Sequence, residues 1–135
     1  MPVNSQFPNG DKALIVDVDE NDALQLSSSL ELSGYSVRRA GDLVEALQKF
    51  SEFSPGIVLI DASLPAKSWL ELIKNIRSHE IEKDSDYRSI ILVTTSRFSS
   101  EIDQKAKKAG ASDVVGKPIA LNALIDKITE FTVQY

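Results

Sequence analysis

Residues 57–65 read Ile57-Val58-Leu59-Ile60-Asp61-Ala62-Ser63-Leu64-Pro65, four apolar side chains in a row that end abruptly in a carboxylate. An unbroken apolar run this short reads as a strand buried on both faces, the habit of a parallel sheet covered by helices. Asp61 then stands at the carboxyl end of a central strand, and in open α/β sheets that edge is where ligands bind. Taken alone, a turn or helix-capping role for Asp61 is the better reading.

The same grammar repeats on either side. Ala13 to Val16 is a second short apolar run ending in a carboxylate, Asp17, and the acidic segment Asp19-Glu20-Asn21-Asp22 after it supplies a helix N-cap and negative charge where the helix dipole favours it. That helix carries Ala23, Leu26 and Leu30 on one face and runs to about Ser33, with Gly34 as its left-handed stop. Tyr35 to Ala40 mixes Val37 with Arg38 and Arg39, which suits an exposed edge strand. Asp42 and Glu45 have capping-box spacing ahead of Leu43, Ala46, Leu47 and Phe50, and Ser54-Pro55-Gly56 closes that helix.

Beyond the central strand, Trp69, Leu72, Ile73 and Ile76 follow helical spacing. Residues 78–89 are polar without periodicity and read as a solvated surface loop, with no role for His79. Ile90 to Val93 is a fourth strand, ending in Thr94-Thr95. Ser99 or Ser100 caps a helix with Ile102, Ala106 and Ala109, lysines at 105, 107 and 108, and Gly110 as its stop. Val114-Val115 is a short fifth strand before Gly116-Lys117-Pro118, and Leu121, Leu124, Ile125 and Ile128 make the last helix amphipathic.

Five strand-helix units with short apolar strands make an α/β domain on a parallel sheet. Right-handed crossovers then put helices on both faces and every strand's carboxyl end on one edge. Asp17, Asp61, Thr94 and Lys117 all fall there. Carboxylates suit a hard cation such as Mg²⁺, which takes oxygen ligands and keeps waters. A lysine and a threonine offer a charge and a hydrogen-bond donor to phosphoryl oxygens. Together they describe phosphoryl transfer to or from a carboxylate.

Composition removes other chemistries. With 135 residues the chain suits one domain. It has no cysteine and one histidine, so disulfides, thiolate metal sites and His-based metal clusters lack parts. A net charge of -5 argues against general binding to a nucleic-acid backbone. No apolar run approaches the roughly 20 residues of a membrane span, and no signal peptide is apparent, so a cytoplasmic setting is expected. Residues 1–11 read as a flexible leader and residues 12–135 as the domain.

These motifs resemble the receiver domain of two-component response regulators over about Lys12 to Phe131. The likeness is carried by Leu14-Ile15-Val16-Asp17, by Val58-Leu59-Ile60-Asp61 with Pro65 four residues on, by Ile90-Ile91-Leu92-Val93-Thr94, and by Gly110-Ala111-Ser112-Asp113 leading to Lys117-Pro118. The resemblance implies a three-layer flavodoxin-like (βα)5 fold with sheet order 2-1-3-4-5 and a cis Lys117-Pro118 bond. It implies that Asp61 accepts phosphate from a sensor histidine kinase or a histidine phosphotransfer protein. Thr94 and Lys117 would contact the phosphoryl group, while Asp17, Asp61 and the Ser63 carbonyl would hold Mg²⁺. It further implies a signalling domain rather than an enzyme, and partner docking on the helix from Ser100 to Ala109, the strand at Val114 and the final helix.

Three positions depart from the family pattern. Val18 stands where a second acidic residue is usual, Val114 where an aromatic switch residue is usual, and Trp69 where a glycine is usual. Val18 predicts weak Mg²⁺ binding unless Asp19 bends back, and it keeps a phosphorylation-independent pseudo-receiver as the alternative. A flavin-binding domain on the same sheet is disfavoured because the loop Val18-Asp19-Glu20-Asn21-Asp22 would repel a flavin phosphate. Trp69 reads as packing. A stand-alone receiver and a piece of a longer signalling protein both remain open.

Overall fold

The computed structural model describes residues 10–83 and 88–132, so most of the expected leader and the middle of the expected 78–89 loop lie outside the described residues. The order is β1 (Lys12–Val16), α1 (Glu20–Leu32), β2 (Ser36–Ala40), α2 (Leu43–Phe53), β3 (Ile57–Asp61), a 3₁₀ turn (Pro65–Lys67), α3 (Ser68–Glu82), β4 (Ile90–Thr95), α4 (Ser100–Ala109), β5 (Asp113–Gly116) and α5 (Leu121–Thr132). All strands pair in parallel in the order β2-β1-β3-β4-β5, as expected.

Alternate strand residues point to opposite faces, and the buried side chains sort accordingly. Leu14, Val16, Val58, Ile60, Ile91 and Val93 pack with Ala46 and Phe50 of α2, Leu72, Ile73 and Ile76 of α3, and Ala106 of α4. Ala13, Ile15, Ile57, Leu59, Ile90 and Leu92 pack with Ala23 and Leu30 of α1 and with Leu124 and Ile128 of α5. This double burial is why the central strands carry no polar alternation. Trp69 and Val114 both sit in the first of these layers, so the tryptophan is a packing residue. No helix of the described residues is long and apolar enough to cross a membrane.

Local signals mostly act as read. Asp42 accepts from the Glu45 N–H at 2.8 Å while Glu45 Oε1 accepts from the Gly41 N–H at 2.8 Å, the reciprocal pattern of a capping box. Ser99 caps α4 by accepting from Ile102 N–H at 3.1 Å. The bond Lys117-Pro118 is cis. At the end of α2 it is Ser54, with φ 50°, that takes the left-handed conformation, although Gly56 stands two residues further on.

Over residues 78–82 the expected loop is corrected. α3 continues through Glu82, with His79 edge-on to the Phe50 ring, and Glu80 is only 6% exposed. Glu80 serves an internal network with Arg77 and Ser89. Arg77 donates through Nε to Gly110 O, and through a terminal nitrogen to Glu80 Oε1 and Ser89 O, each at 2.8 Å. Glu80 Oε2 accepts from Ser89 N–H at 2.6 Å, and Ser89 Oγ donates to Pro55 O at 3.1 Å. The C-terminal half of α3 is thereby tied to the start of β4 and to the end of α4.

Gly110, at the C-cap of α4, has φ +119°, and a Cβ there would lie 2.8 Å from Arg77 Cγ. Gly110→Ala is therefore expected to cost at least about 1 kcal/mol, from backbone strain alone. Displacement of Arg77 adds to that. Urea denaturation of the two proteins measures the difference.

Candidate functional site

Strand register builds the site. Val16 pairs with Ile60, and Asp61 pairs with Thr94, so Asp17, Asp61 and Thr94 emerge side by side where β1, β3 and β4 end. The Lys117 N–H donates to Thr95 O at 2.7 Å, which brings the loop after β5 onto the same edge. All four edge residues expected from the sequence are thus brought together. Thr94 is buried beside Asp61 at the end of the neighbouring strand.

Lys117 is the hub. Its Nζ donates to Asp17 Oδ2 and to Asp61 Oδ2, both at 2.8 Å, and to Asp22 Oδ2 at 3.0 Å. An ammonium has three donors, and here each has its own carboxylate. The second oxygens of the two buried aspartates are held by the backbone. Asp17 Oδ1 accepts from the Asp19 N–H, and Asp61 Oδ1 accepts from the Ser63 N–H, both at 2.9 Å.

The electrostatics follow from this crowding. Burial, and the shared contact with Asp61, push the Asp17 carboxyl above its ordinary range. Burial acts on Asp61 in the same direction, but its hydrogen bonds to Asp17, Lys117 and the Ser63 amide outweigh that and hold it below the ordinary range. Lys117 is raised well above the usual lysine value because its three carboxylate partners overcome the cost of burial. At neutral pH Asp61 is an ionised carboxylate beside a fixed positive charge.

Asp22 was not legible as a site residue; its place in the acidic start of α1 reads as ordinary dipole complementation. The cue is its spacing. Five residues past Asp17, it falls in the first turn of the helix that begins at the same sheet edge. Asp19 does not bend back toward the cluster. Its Oδ1 accepts from the Asn21 and Asp22 N–H groups at 2.9 and 3.1 Å, so it caps α1.

Asp17 and Asp61 place two carboxylates, all hard oxygen donors, within reach of one another, whereas Val18 is 47% exposed and offers no polar group. Among the described residues no three His, Cys, Asp or Glu side chains are arranged to enclose a metal. That pattern fits Mg²⁺ held by two carboxylates and completed by water, and does not fit an all-protein cage.

A five-stranded doubly wound domain whose strand ends gather two buried aspartates, a threonine and a lysine is the architecture of a signal receiver. A family model described as the response regulator receiver domain matches residues 13–129, and the chain belongs to that family. It is 34% identical over 117 residues to the response regulator MprA of Mycobacterium leprae, covering 87% of this chain and 49% of that protein. It is 31% identical over 113 residues to the regulatory protein AtoC of Escherichia coli, covering 84% of this chain and 23% of that protein. The chain therefore spans about half or less of the length of these curated relatives.

Solved structures agree. The co-crystal structure of the Saccharomyces cerevisiae histidine phosphotransfer signaling protein Ypd1 and the receiver domain of its downstream response regulator Ssk1 matches with a TM-score of 0.80 and 30% identity, covering 88% of this chain and 86% of that one. A Burkholderia pseudomallei response regulator with a phosphorylated aspartic acid, calcium ion and citrate matches with a TM-score of 0.77 and 26% identity, covering 92% of this chain and 72% of that one.

Proposed function

We propose that this receiver domain works in the cytoplasm as the acceptor of a phosphorelay, taking a phosphoryl group on Asp61 from a phosphohistidine of a sensor kinase or a histidine phosphotransfer protein. The observation that carries this is the Lys117 ammonium 2.8 Å from Asp61 Oδ2, at a sheet edge where the carboxylate stays ionised. An Asp61 oxygen attacks phosphorus, the P–N bond breaks, and the electron pair leaves with the imidazole. Lys117 neutralises charge on the phosphoryl oxygens, the Ser63 amide orients the Asp61 carboxylate, and the Thr94 hydroxyl is available to a phosphoryl oxygen. Asp17 and Asp61, with the Ser63 carbonyl, would hold Mg²⁺, which when bound adds positive charge at the phosphoryl group. The chain assists its own modification and passes the signal by protein contacts, so it is a signalling module rather than a turnover enzyme. Incubation with acetyl phosphate and Mg²⁺, read by intact mass, tests the reading; a parent protein that never gains a phosphoryl group refutes it.

Family membership does not favour the phosphorylation-independent alternative, and one substitution measures what Val18 does to the pocket. Metal affinity at such sites follows the count of ligand charges. Val18→Asp is therefore expected to tighten Mg²⁺ binding roughly tenfold and to speed phosphorylation. Trp69 fluorescence would follow the titration. Tight binding in the parent, unchanged by the substitution, would contradict an impaired pocket.

The docking face expected around α4 is less basic than its lysines suggest. Lys105 pairs with Glu101 at 3.0 Å, and Lys107 pairs with Asp103 at 3.1 Å and Asp113 at 3.6 Å, so much of the positive charge is neutralised within the fold. Such exposed pairs contribute little to stability.

A further inference from the structure

We propose that Asp22 is the positioning residue for Lys117, an outer tether that keeps the ammonium at the mouth of the site while Asp61 is being phosphorylated. This rests on the reading of Asp61 as the phosphoryl acceptor.

Before transfer the three protons of Lys117 are divided among Asp17, Asp61 and Asp22. When an Asp61 oxygen bonds to phosphorus, the carboxylate loses its full charge and ceases to be a strong partner for the lysine. The proton freed by that change is the one available to a phosphoryl oxygen. Where the ammonium then sits depends on the two partners that remain. Asp17 is buried, its side chain 5% exposed, and by itself would draw the nitrogen into the protein. Asp22 holds it from the solvent side, its side chain being 46% exposed. A lysine stem has four rotatable carbons and no preset direction, so two opposed anchors fix what one would leave loose.

The local sequence leaves Asp22 free for this work. Asp19 provides the helix cap, and the Asp22 backbone N–H is one of the donors it satisfies, so the Asp22 side chain is not needed to close α1. Asp22 also supplies a carboxylate at an edge where Val18 supplies none. It does so through the lysine.

The test measures phosphorylation of the full chain by acetyl phosphate at a series of Mg²⁺ concentrations, by intact mass. In each event an Asp61 oxygen forms the new O–P bond as the donor's P–O bond breaks and acetate leaves with the electron pair. Asp22→Ala is expected to lower the rate at saturating Mg²⁺ by about tenfold, the scale seen when an outer partner of a site residue is removed. Asp22→Glu should restore most of it, and circular dichroism should show α1 intact in both. In a Lys117→Ala background Asp22→Ala should have no further effect, because a residue that acts through another is silent once that other is gone. An unchanged saturating rate overturns the proposal. So does a change confined to the half-saturating Mg²⁺ concentration, or an equal loss with Lys117 absent, either of which would make Asp22 an attractor of the ion. Failure of the parent itself to gain a phosphoryl group overturns the acceptor reading, and the tether with it.

Discussion

Asp61→Asn is expected to abolish phosphate uptake from every donor while leaving the fold in place. The amide oxygen is not a nucleophile toward phosphorus, so no slower version of the same reaction survives. The shape is kept, and the carboxamide oxygen can still accept the Ser63 N–H that now binds Asp61 Oδ1. Its NH₂ group replaces the oxygen that now accepts from Lys117, whose ammonium keeps Asp17 and Asp22 as partners, and can donate to the neighbouring Asp17 carboxylate. Intact mass should show no phosphorylated species, and thermal unfolding should show no lower transition. Phosphorylation of the variant would move the acceptor to another residue, with Asp17 the first to examine.

Glu80→Ala is expected to be the most damaging change away from the site. It leaves the Arg77 guanidinium without its carboxylate and the buried Ser89 N–H without its acceptor. Removing one partner of a buried ion pair typically costs 3–5 kcal/mol, and about 3 kcal/mol suits a pair whose side chains are 18% and 7% exposed. In a domain of this size that is a fall of roughly 10 °C in Tm. Replacing the pair together, Arg77→Met with Glu80→Leu, should cost less than Glu80→Ala alone, because no buried charge is then stranded. Denaturant titration of the single and double variants decides it; a loss below about 0.5 kcal/mol for Glu80→Ala would mark the pair as an ordinary surface contact.

The apolar runs at Leu14, Val58 and Ile91 announce buried parallel strands because each must pack on both faces, and once strands are parallel their ends share an edge. Asp17, Asp61, Thr94 and Lys117 follow from that alone. Asp22 was not legible because an acidic residue in a first helical turn has a sufficient local reason to be there, and its bond to Lys117 spans 95 positions of chain. Glu80 and Ser89 read as solvated because polar composition does not reveal burial; the network that joins them to Arg77 reaches Pro55 and Gly110 on distant segments. Left-handed Ser54, Ala66 and Lys67 gave no signal either, since none is a glycine, the residue by which such conformations are read from sequence.

The order of the sheet leaves two strands each with one unpaired side. Such sides present free backbone groups on which another chain can align, and proteins that must stay dispersed blunt them. β5 is only four residues long, which offers a visitor little ladder. β2 carries Arg38 and Arg39, both exposed, and the Lys49 ammonium donates to the Arg39 carbonyl at 2.6 Å, occupying an acceptor that an incoming strand would need. Two copies meeting β2 to β2 would bring like charges together before they could exchange hydrogen bonds. Resistance to strand-to-strand aggregation is therefore built into the margins of the sheet, and the central strands are left free to be apolar up to their carboxyl ends.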